Sequence, residues 1–374
     1  MKRFIYADNA ATTQLDKEAL EAMLPWLQEE YGNASQPYSF ARGPKRALAE
    51  ARATIAECIG ALPEEIFFTS GGTESDNWVI KASALNDHDH RETITSAFEH
   101  HAILHACEAL EQLGYPVRYV KPTADGYVTP DALGAIASGD TRLISVMFAN
   151  NELGSIQPIR ELCEVAHRCG ALFHTDAVQA VGHVKINVHE LGVDFLSASA
   201  HKFNGPNGIG FLYIRKGIDI KPFIDGGAQE IGKRAGTENV ASIVGMAKAL
   251  KVNCDSLEDN QRHLKSLEKI LLDKLDASGG NYVRNGGAHT LPGLMSLSFP
   301  GKDGEAILHR MDLMGIAIST GSACDSKNTE ISHVLKAIDL DEDLAKGTIR
   351  ISLGRYNTEE DAVQIAEALA RIVL

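Results

Sequence analysis

The sequence lacks the features that mark several classes of protein. It has no apolar segment long enough to span a bilayer, and the N-terminus reaches Asp8 before any apolar run of signal-peptide length. Basic residues are in the minority, because 36 Lys and Arg stand against 50 Asp and Glu and leave a formal charge of -14. A surface of that sign repels a phosphate backbone, so direct binding of nucleic acid is not expected. These shortages predict a cytoplasmic protein with no membrane attachment.

Cysteines are few and scattered. None of the 6 pairs with another at Cys-x-x-Cys spacing, and no histidine pair stands nearby to complete a zinc site, so no metal is predicted. Scattered thiols in a chain of this size are typical of reduced proteins of the cytosol. Five of them lie in helical patterns and are predicted to fill the core: Cys58, Cys107, Cys163, Cys169 and Cys254.

The length of 374 residues, with 44% hydrophobic and 23% charged residues, is typical of a globular protein of about two domains. Helical patterns alternate with short apolar strands, which predicts an α/β fold whose sheet is covered on both faces. A helical pattern then runs from residue 240 to residue 275, and new strands follow at 294–299 and 316–319. The boundary between the domains is predicted near Leu257.

A glycine pair indicates an anion site. Gly71 and Gly72 stand between a predicted strand and a predicted helix, where free backbone N–H groups and the Thr73 hydroxyl suit a phosphate. An ordinary strand-to-helix turn with Thr73 as the helix cap explains the same residues equally well.

Two other strands end in residues that suit a pyridine cofactor. Asp176 would be costly to bury unless it met a cation, such as a protonated ring nitrogen, or capped the next helix. Gln179 lies one turn further on, within reach of a ring substituent. Lys202 follows Ser199 and His201, and a lysine that forms an imine needs the lowered pKa that desolvation or nearby cations supply. The glycine-rich residues after it favour a reactive lysine over a solvated one.

Three further residue types suit catalysis on an amino acid. Of the adjacent His100 and His101, one is expected to stack on a cofactor ring and move protons. Cys324 lies among small residues before a polar run, which favours a reactive thiol over a buried one. Arg350 alternates with apolar residues of a strand, where it would bind a substrate carboxylate or form an ion pair between the domains.

In this order, the motifs resemble those of the cysteine desulfurases, class V members of the fold-type-I pyridoxal-phosphate transferases, and specifically the subgroup with the longer cysteine loop. The resemblance runs almost from end to end, through residues 6–13, 150–154, 234–239 and 353–355. It implies an α/β fold with a large, mostly parallel-sheet domain and a smaller α+β domain that carries the cysteine loop. The implied bounds are an N-terminal arm packed with the small domain (1–15), the large domain (16–256) and the small domain (257–374).

The resemblance also implies a role for each candidate residue. Lys202 would bind pyridoxal 5′-phosphate as an imine, Asp176 would pair with the pyridine nitrogen, and Gln179 would bind the ring hydroxyl. His100 would stack on the ring as acid and base, and Cys324 would carry a persulfide. The remaining residues implied are Gly72, Thr73, Ser199, His201 and, from the second subunit of a homodimer, Thr237 for the phosphate, with Asn151 and Arg350 for the substrate carboxylate and Asn151 also beside the cofactor.

The implied activity converts L-cysteine to L-alanine and passes the sulfur from Cys324 to an acceptor protein of iron–sulfur cluster assembly or thiolation. Three alternatives stay open: a selenocysteine lyase, another aminotransferase-like enzyme, for which Cys324 would have no use, and a noncatalytic scaffold. Two positions depart from the family pattern, Tyr38 in place of a histidine and Ile231 in place of a common arginine. They bear on the site entrance and on the partner.

Overall fold

The computed structural model describes residues 4–85, 91–320 and 331–374. The strands are β1 Ile5–Tyr6, β2 Ile66–Thr69, β3 Glu92–Ser96, β4 Val117–Val120, β5 Thr141–Ser145, β6 Leu172–Asp176, β7 Phe195–Ser199, β8 Gly210–Ile214, β9 Val283–Asn285, β10 Leu294–Ser298, β11 Ile316–Ala317 and β12 Thr348–Ser352. The helices are α1 Lys17–Gln28, α2 Arg42–Ile59, α3 Gly72–Leu85, α4 His101–Gln112, α5 Pro130–Gly134, α6 Ile159–Arg168, α7 Val188–Leu191, α8 Val240–Asp255, α9 Leu257–Ala277, α10 Gly304–Leu313, α11 His333–Ala337, α12 Glu342–Lys346 and α13 Glu359–Val373. Among the helices in these ranges, none is long and apolar enough to cross a membrane.

The largest sheet of the described chain has 7 strands in the order β2-β8-β7-β6-β5-β3-β4. β8 is antiparallel to its neighbours β2 and β7, and the other neighbouring strands are parallel. Because β2 and β7 are both antiparallel to β8, they run in the same direction as the remaining strands. The carboxyl ends of β2, β3, β5, β6 and β7 therefore share one edge, which is where sheets of this type bind ligands. The predicted α/β fold with a large, mostly parallel sheet is confirmed.

Helices cover both faces of this sheet, because its central strands are apolar on both faces. Successive side chains of a strand point to opposite faces, and accordingly Phe195 and Leu196 of β7 belong to different hydrophobic clusters. The cluster around Phe195 includes Trp78 of α3 and Ile103 of α4. The cluster around Leu196 is larger and includes Ile55 of α2.

A third hydrophobic cluster lies with the small sheet near the C-terminus. β12, β10 and β9 form an antiparallel sheet, and the parallel pair β1 and β11 lies beside it. Ile5 of β1 shares this cluster with Leu267 of α9, Ile351 of β12 and Leu369 of α13. The first strand of the chain thus packs with its last helix. This separate core supports the division into arm, large domain and small domain, which remains our proposal.

The structure differs from the prediction where one helical pattern was expected from residue 240 to residue 275. Ser256 leaves the helical conformation, with φ -105° and ψ 13°, and separates α8 from α9. α8 packs on α1 and α2, whereas α9 packs on α13. Each helix has its own buried face. The apolar pattern therefore continues across Ser256, although the two helices pack against different elements.

The prediction that five cysteines fill the core is confirmed for Cys107 and Cys163, which are buried, and is wrong for Cys58, Cys169 and Cys254, which are partly exposed. These three pack against the rim of the main core. Cys169 directly follows α6, and the other two lie in the last turns of α2 and α8. Helix ends reach the surface there, which a helical pattern alone does not indicate.

Candidate active site

A cavity lies at the shared carboxyl edge of the large sheet, between that edge, the N-terminal arm and β12. The structure brings most of the predicted site residues together there, whereas their individual roles remain predictions. The predicted residues that line it are Gly72, Thr73, His100, Asn151, Asp176, Gln179, Ser199, His201, Lys202 and Arg350.

The first turn of α3 forms one wall of the cavity beside the end of β7. A Cβ atom on Gly72 would lie 2.4 Å from Val178 Cγ2, so a larger residue does not fit. Backbone N–H groups in the first turn of a helix lack intrahelical acceptors and attract anions. Ser199 and His201 line the same cavity, and burial, with the charge of Lys202, lowers the pKa of His201 to about 4. Close backbone approach, N–H donors and a neutral imidazole suit a phosphate group.

Asp176 and Lys202 face the cavity from neighbouring strand ends. Asp176 Oδ1 accepts a hydrogen bond from the Val178 amide at 2.9 Å, so this carboxyl also closes the turn after β6. Burial raises the pKa of Asp176 to about 6, although that hydrogen bond and the charge of Lys202 oppose the rise. Lys202 Nζ donates to the carbonyl oxygens of Ala10 and Ala11, each at 2.7 Å. The buried acid suits a cationic ring nitrogen, and the amine suits an aldehyde carbon, as in pyridoxal phosphate.

The N-terminal arm closes the cavity over these groups. The carbonyl oxygen of Ala10 accepts from Lys202 Nζ and also from Gln179 Nε2, the latter at 2.9 Å. The arm is tied to the small sheet through an amide of Asn9, whose Nδ2 donates to Ser352 O at 2.9 Å. Ala10 and Ala11, which lie outside the described strands, therefore hold the side chains of Lys202 and Gln179 in place.

His100 and His101 separate as expected of adjacent residues. His100 lines the cavity and caps α4, because its Nδ1 accepts from the Ala102 amide at 3.1 Å. Burial, and then the charge of Lys202, lower the pKa of His100 to about 4, so the ring is neutral at pH 7 with its proton on Nε2. His101 instead stacks on His105 with ring centroids 4.8 Å apart. The geometry selects His100, which the sequence alone did not.

Arg350 combines the two interpretations that its sequence position left open. Its side chain is 4% exposed and lines the cavity, yet Nη2 also pairs with Asp8 Oδ1 at 2.8 Å. Nη1 donates to the carbonyl oxygen of Asn151 at 2.9 Å. Within the described residues, Nε has no hydrogen-bond acceptor. A buried guanidinium with one donor free remains suited to a carboxylate ligand.

Thr237 is a predicted site residue that lies elsewhere, because it is exposed and does not line the cavity of its own chain. Cys324 lies outside the described residues. The described residues on either side are near the cavity: Ser319 N donates to Arg350 O at 3.0 Å, and His333 Nε2 lies 2.8 Å from Glu99 O.

Sequence reasoning missed a group of buried titratable residues, of which Asp76 lines the cavity and His174 contacts Asp76. Asp76 of α3 is 1% exposed, and burial followed by the charge of Asp176 holds its pKa well above the ordinary value. His174 lies 3.7 Å from Asp76 Oδ1 and bonds Ser145 and Ser197 at 2.8 and 2.9 Å. An acid on the apolar face of α3 was the available sequence indication, since Ser75 and Trp78 around it are buried.

Comparison with known proteins identifies the family of the chain. The family Aminotransferase class-V matches residues 5–365. A cysteine desulfurase IscS of Dictyoglomus turgidum is 48% identical over 100% of this chain and 95% of its own length, and one of Methanosarcina thermophila is 46% identical over 99% and 92%.

Solved structures extend the likeness to the fold. A NifS-like protein has a TM-score of 0.93 and 37% identity over 99% of both chains. The structure described as SspA in complex with cysteine has a TM-score of 0.84 and 35% identity over 95% of this chain and 100% of the other. By sequence and by fold, this chain belongs to the class-V aminotransferases and, among them, to the cysteine desulfurase family.

Proposed function

We propose that the chain is a cysteine desulfurase that converts L-cysteine to L-alanine with pyridoxal 5′-phosphate and carries the sulfur as a persulfide on Cys324. The observation that carries the proposal is the convergence of Lys202, Asp176 and His100 in one cavity at the strand ends. An amine, a buried acid and a neutral imidazole together suit chemistry at the α-carbon of an amino acid.

The residues that would hold the cofactor surround the cavity on three sides. Lys202 would bind its aldehyde carbon, Asp176 its ring nitrogen and Gln179 its ring hydroxyl. Pyridoxal phosphate supplies a conjugated ring that accepts electrons from the substrate α-carbon. Asp176 would keep a proton on the ring nitrogen, because a cation beside this buried carboxyl favours its ionised form. The phosphate would bind at Gly72, Thr73, Ser199 and His201.

Proton transfer would fall to Lys202 and His100. The lysine amine, once free of the cofactor, is placed to take the α-proton of the substrate. His100 would exchange its Nε2 proton with the substrate, since burial keeps the ring neutral and its Nδ1 is occupied by the Ala102 amide. Arg350 and Asn151 would hold the substrate carboxylate.

Sulfur transfer is assigned to Cys324. As a thiolate it would attack the substrate sulfur and form an S–S bond, which leaves a persulfide on the enzyme. The bond between that sulfur and the β-carbon would break, and its electrons would pass to the β-carbon, which takes a proton to become the methyl group of alanine. Two contacts support this assignment: Ser319 bonds the backbone of Arg350, which lines the cavity, and His333 bonds the carbonyl oxygen of Glu99, next to His100. An acceptor protein of iron–sulfur cluster assembly or thiolation, met in the cytoplasm, would then take the sulfur.

A homodimer would complete the phosphate site. Thr237 stands exposed on a segment that two ion pairs hold to the large domain, Arg52 with Glu230 at 2.7 Å and Arg234 with Glu74 at 2.9 Å. A fixed outward threonine suits a neighbouring copy. Exposed apolar side chains on α1 and just after it provide a surface for that copy: Leu20, Leu24, Leu27, Tyr31 and Phe40.

The proposal is tested by adding L-cysteine to the purified protein under reducing conditions and measuring alanine and sulfide together with the cofactor absorbance. Equal amounts of both products are expected, and Cys324→Ser should release neither while retaining the absorbance. Cys169→Ser is the matched control, because it alters a partly exposed thiol outside the cavity lining. Full sulfide release by Cys324→Ser would contradict the assigned nucleophile. A selenocysteine lyase would be indicated by turnover of selenocysteine and none of cysteine.

A further inference from the structure

A second pair of thiols lies outside the active site. Cys58 and Cys254 occupy the last turns of α2 and α8, which pack against each other. The two thiols are near enough for each to shift the pKa of the other. Both are partly exposed and line the same surface groove, beside Lys251. Two neighbouring cysteines at an accessible site differ from cysteines that only fill a core.

The surroundings of the pair give its two thiols different pKa values. The interaction with Cys58 is the main cause of a lowered pKa at Cys254, with Lys251 helping and with burial and Asp255 opposing. The same interaction, burial and the Cys254 charge raise the pKa of Cys58, and Glu57 adds to the rise. Cys254 is therefore the more reactive thiol, because thiolates and not thiols attack disulfides.

The buried cysteines provide an internal comparison. Burial raises the pKa of Cys107 to about 12, and Cys163 likewise has a pKa raised to about 12 by burial. Neither lines the groove that Cys58 and Cys254 share. Reactivity toward disulfides is thus expected at the helix ends and not in the core.

We propose that Cys58 and Cys254 form a redox-active dithiol, which small-molecule disulfides oxidise to a disulfide bond between α2 and α8. The Cys254 thiolate attacks one sulfur of the small disulfide, whose S–S bond breaks and releases one thiolate. Cys58 then gives its proton to solvent and attacks the Cys254 sulfur of the mixed disulfide, which releases the second thiolate. Two cysteine thiols are oxidised, and one small disulfide is reduced to two thiols. The proposal does not depend on the proposed desulfurase activity.

The bond would restrain two helices that are far apart in the chain. Closing so long a segment covalently lowers the entropy of the unfolded state, so the oxidised protein should melt at a higher temperature, by about 5 °C or more. α8 begins directly after Asn239, close in sequence to the exposed Thr237. Oxidation would thus fix the helix that follows the segment proposed to face the second subunit.

The experiment treats the cofactor-loaded Cys324→Ser protein with oxidised glutathione and maps its cysteines by mass spectrometry. The expected result is a linked pair of peptides that contain Cys58 and Cys254, a loss of two hydrogen atoms, and reversal by a reductant. Adding Cys58→Ser should trap glutathione on Cys254. In the protein that retains both thiols, alkylation of Cys58 should be slower than that of Cys254 by on the order of tenfold, since its thiolate is the rarer. Cys169→Ser is the control and should leave the linked peptide unchanged.

Two results would overturn the proposal. One is the absence of the linked peptide while alkylation shows both thiols free after oxidised glutathione. The other is equal alkylation rates of the two thiols in the protein that retains both, which would remove the assigned order of attack. This measurement does not require either serine variant to fold.

Discussion

The two walls of the active-site cavity differ in how their charges are balanced. The wall formed by the strand ends carries Asp176 and His100, whose pKa values burial shifts toward their neutral forms. The wall formed by the arm and β12 carries Arg350, whose charge is already paired with Asp8 at 2.8 Å. The first wall would be balanced by the protonated ring nitrogen of the proposed cofactor, and the second would anchor the substrate. Chemistry and substrate orientation are thus assigned to different parts of the chain.

The largest effect is expected from Lys202 on the strand-end wall. Lys202→Ala removes the only amine proposed to bind the cofactor, so activity should fall by several orders of magnitude. The absorbance of the lysine-bound cofactor should be lost as well. Lys248→Ala is the control, since that lysine pairs with Glu18 at the surface at 2.7 Å. An unchanged spectrum in the Lys202 variant would end the proposed cofactor role.

The two buried carboxyls of this wall, Asp176 and Asp76, are expected to differ in protonation. At pH 7 we expect Asp176 to be ionised beside the cofactor and Asp76 to hold its proton, because the charge of Asp176 adds to the burial that raises the pKa of Asp76. Asp176→Asn should therefore lower kcat by about 10³-fold. Asp76→Asn mimics an acid that is already neutral and should change kcat by less than about threefold. Equal losses in the two variants would contradict this division.

The sequence could predict the strand-end wall well, and the structure shows why. Gly72, Asp176 and Lys202 each end or follow an apolar strand, and parallel strands bring their carboxyl ends together. Local patterns thus specify a long-range site. The choice of His100 over His101 needed coordinates, because neighbouring residues share the same local pattern and differ only in what α4 packs against.

Other features could not be read from the chain. The arm reaches the site through backbone carbonyl groups of Ala10 and Ala11, which have no side-chain pattern to detect. Cys58 and Cys254 each have the pattern of a helix core position, and their contact depends on how α2 and α8 pack. Pairing across helices distant in sequence has no local indication.

The anchoring wall is tested with Arg350→Lys. A lysine retains the charge and loses the forked geometry that binds a carboxylate, so the KM for L-cysteine should rise on the order of 30-fold with a smaller change in kcat. Arg118→Lys is the matched control, because Arg118 makes a forked pair with Glu92 at 2.7 and 3.0 Å away from the cavity lining. An unchanged KM with lowered stability would show that Arg350 serves only to hold the arm.

The smallest effect at neutral pH is expected from His174→Asn, which changes a residue behind the strand-end wall. Burial lowers the pKa of His174 to about 3, from 6.5 for an unperturbed histidine. The unfolded chain therefore binds more protons than the folded one below pH 6.5, and stability is lost as the pH falls toward 3. His174→Asn should reduce the loss between pH 7 and pH 4 by about 2–3 kcal/mol, as measured by urea unfolding. His309→Asn, on the surface of α10, is the matched control substitution.

Sulfur transfer to Cys324 is tested most directly by mass spectrometry of the enzyme after a single turnover with L-cysteine and no acceptor. We predict one added sulfur atom on the peptide that contains Cys324, formed in step with alanine and absent from Lys202→Ala. Alanine formation with no sulfur on Cys324, or with sulfur on Cys254 instead, would contradict it.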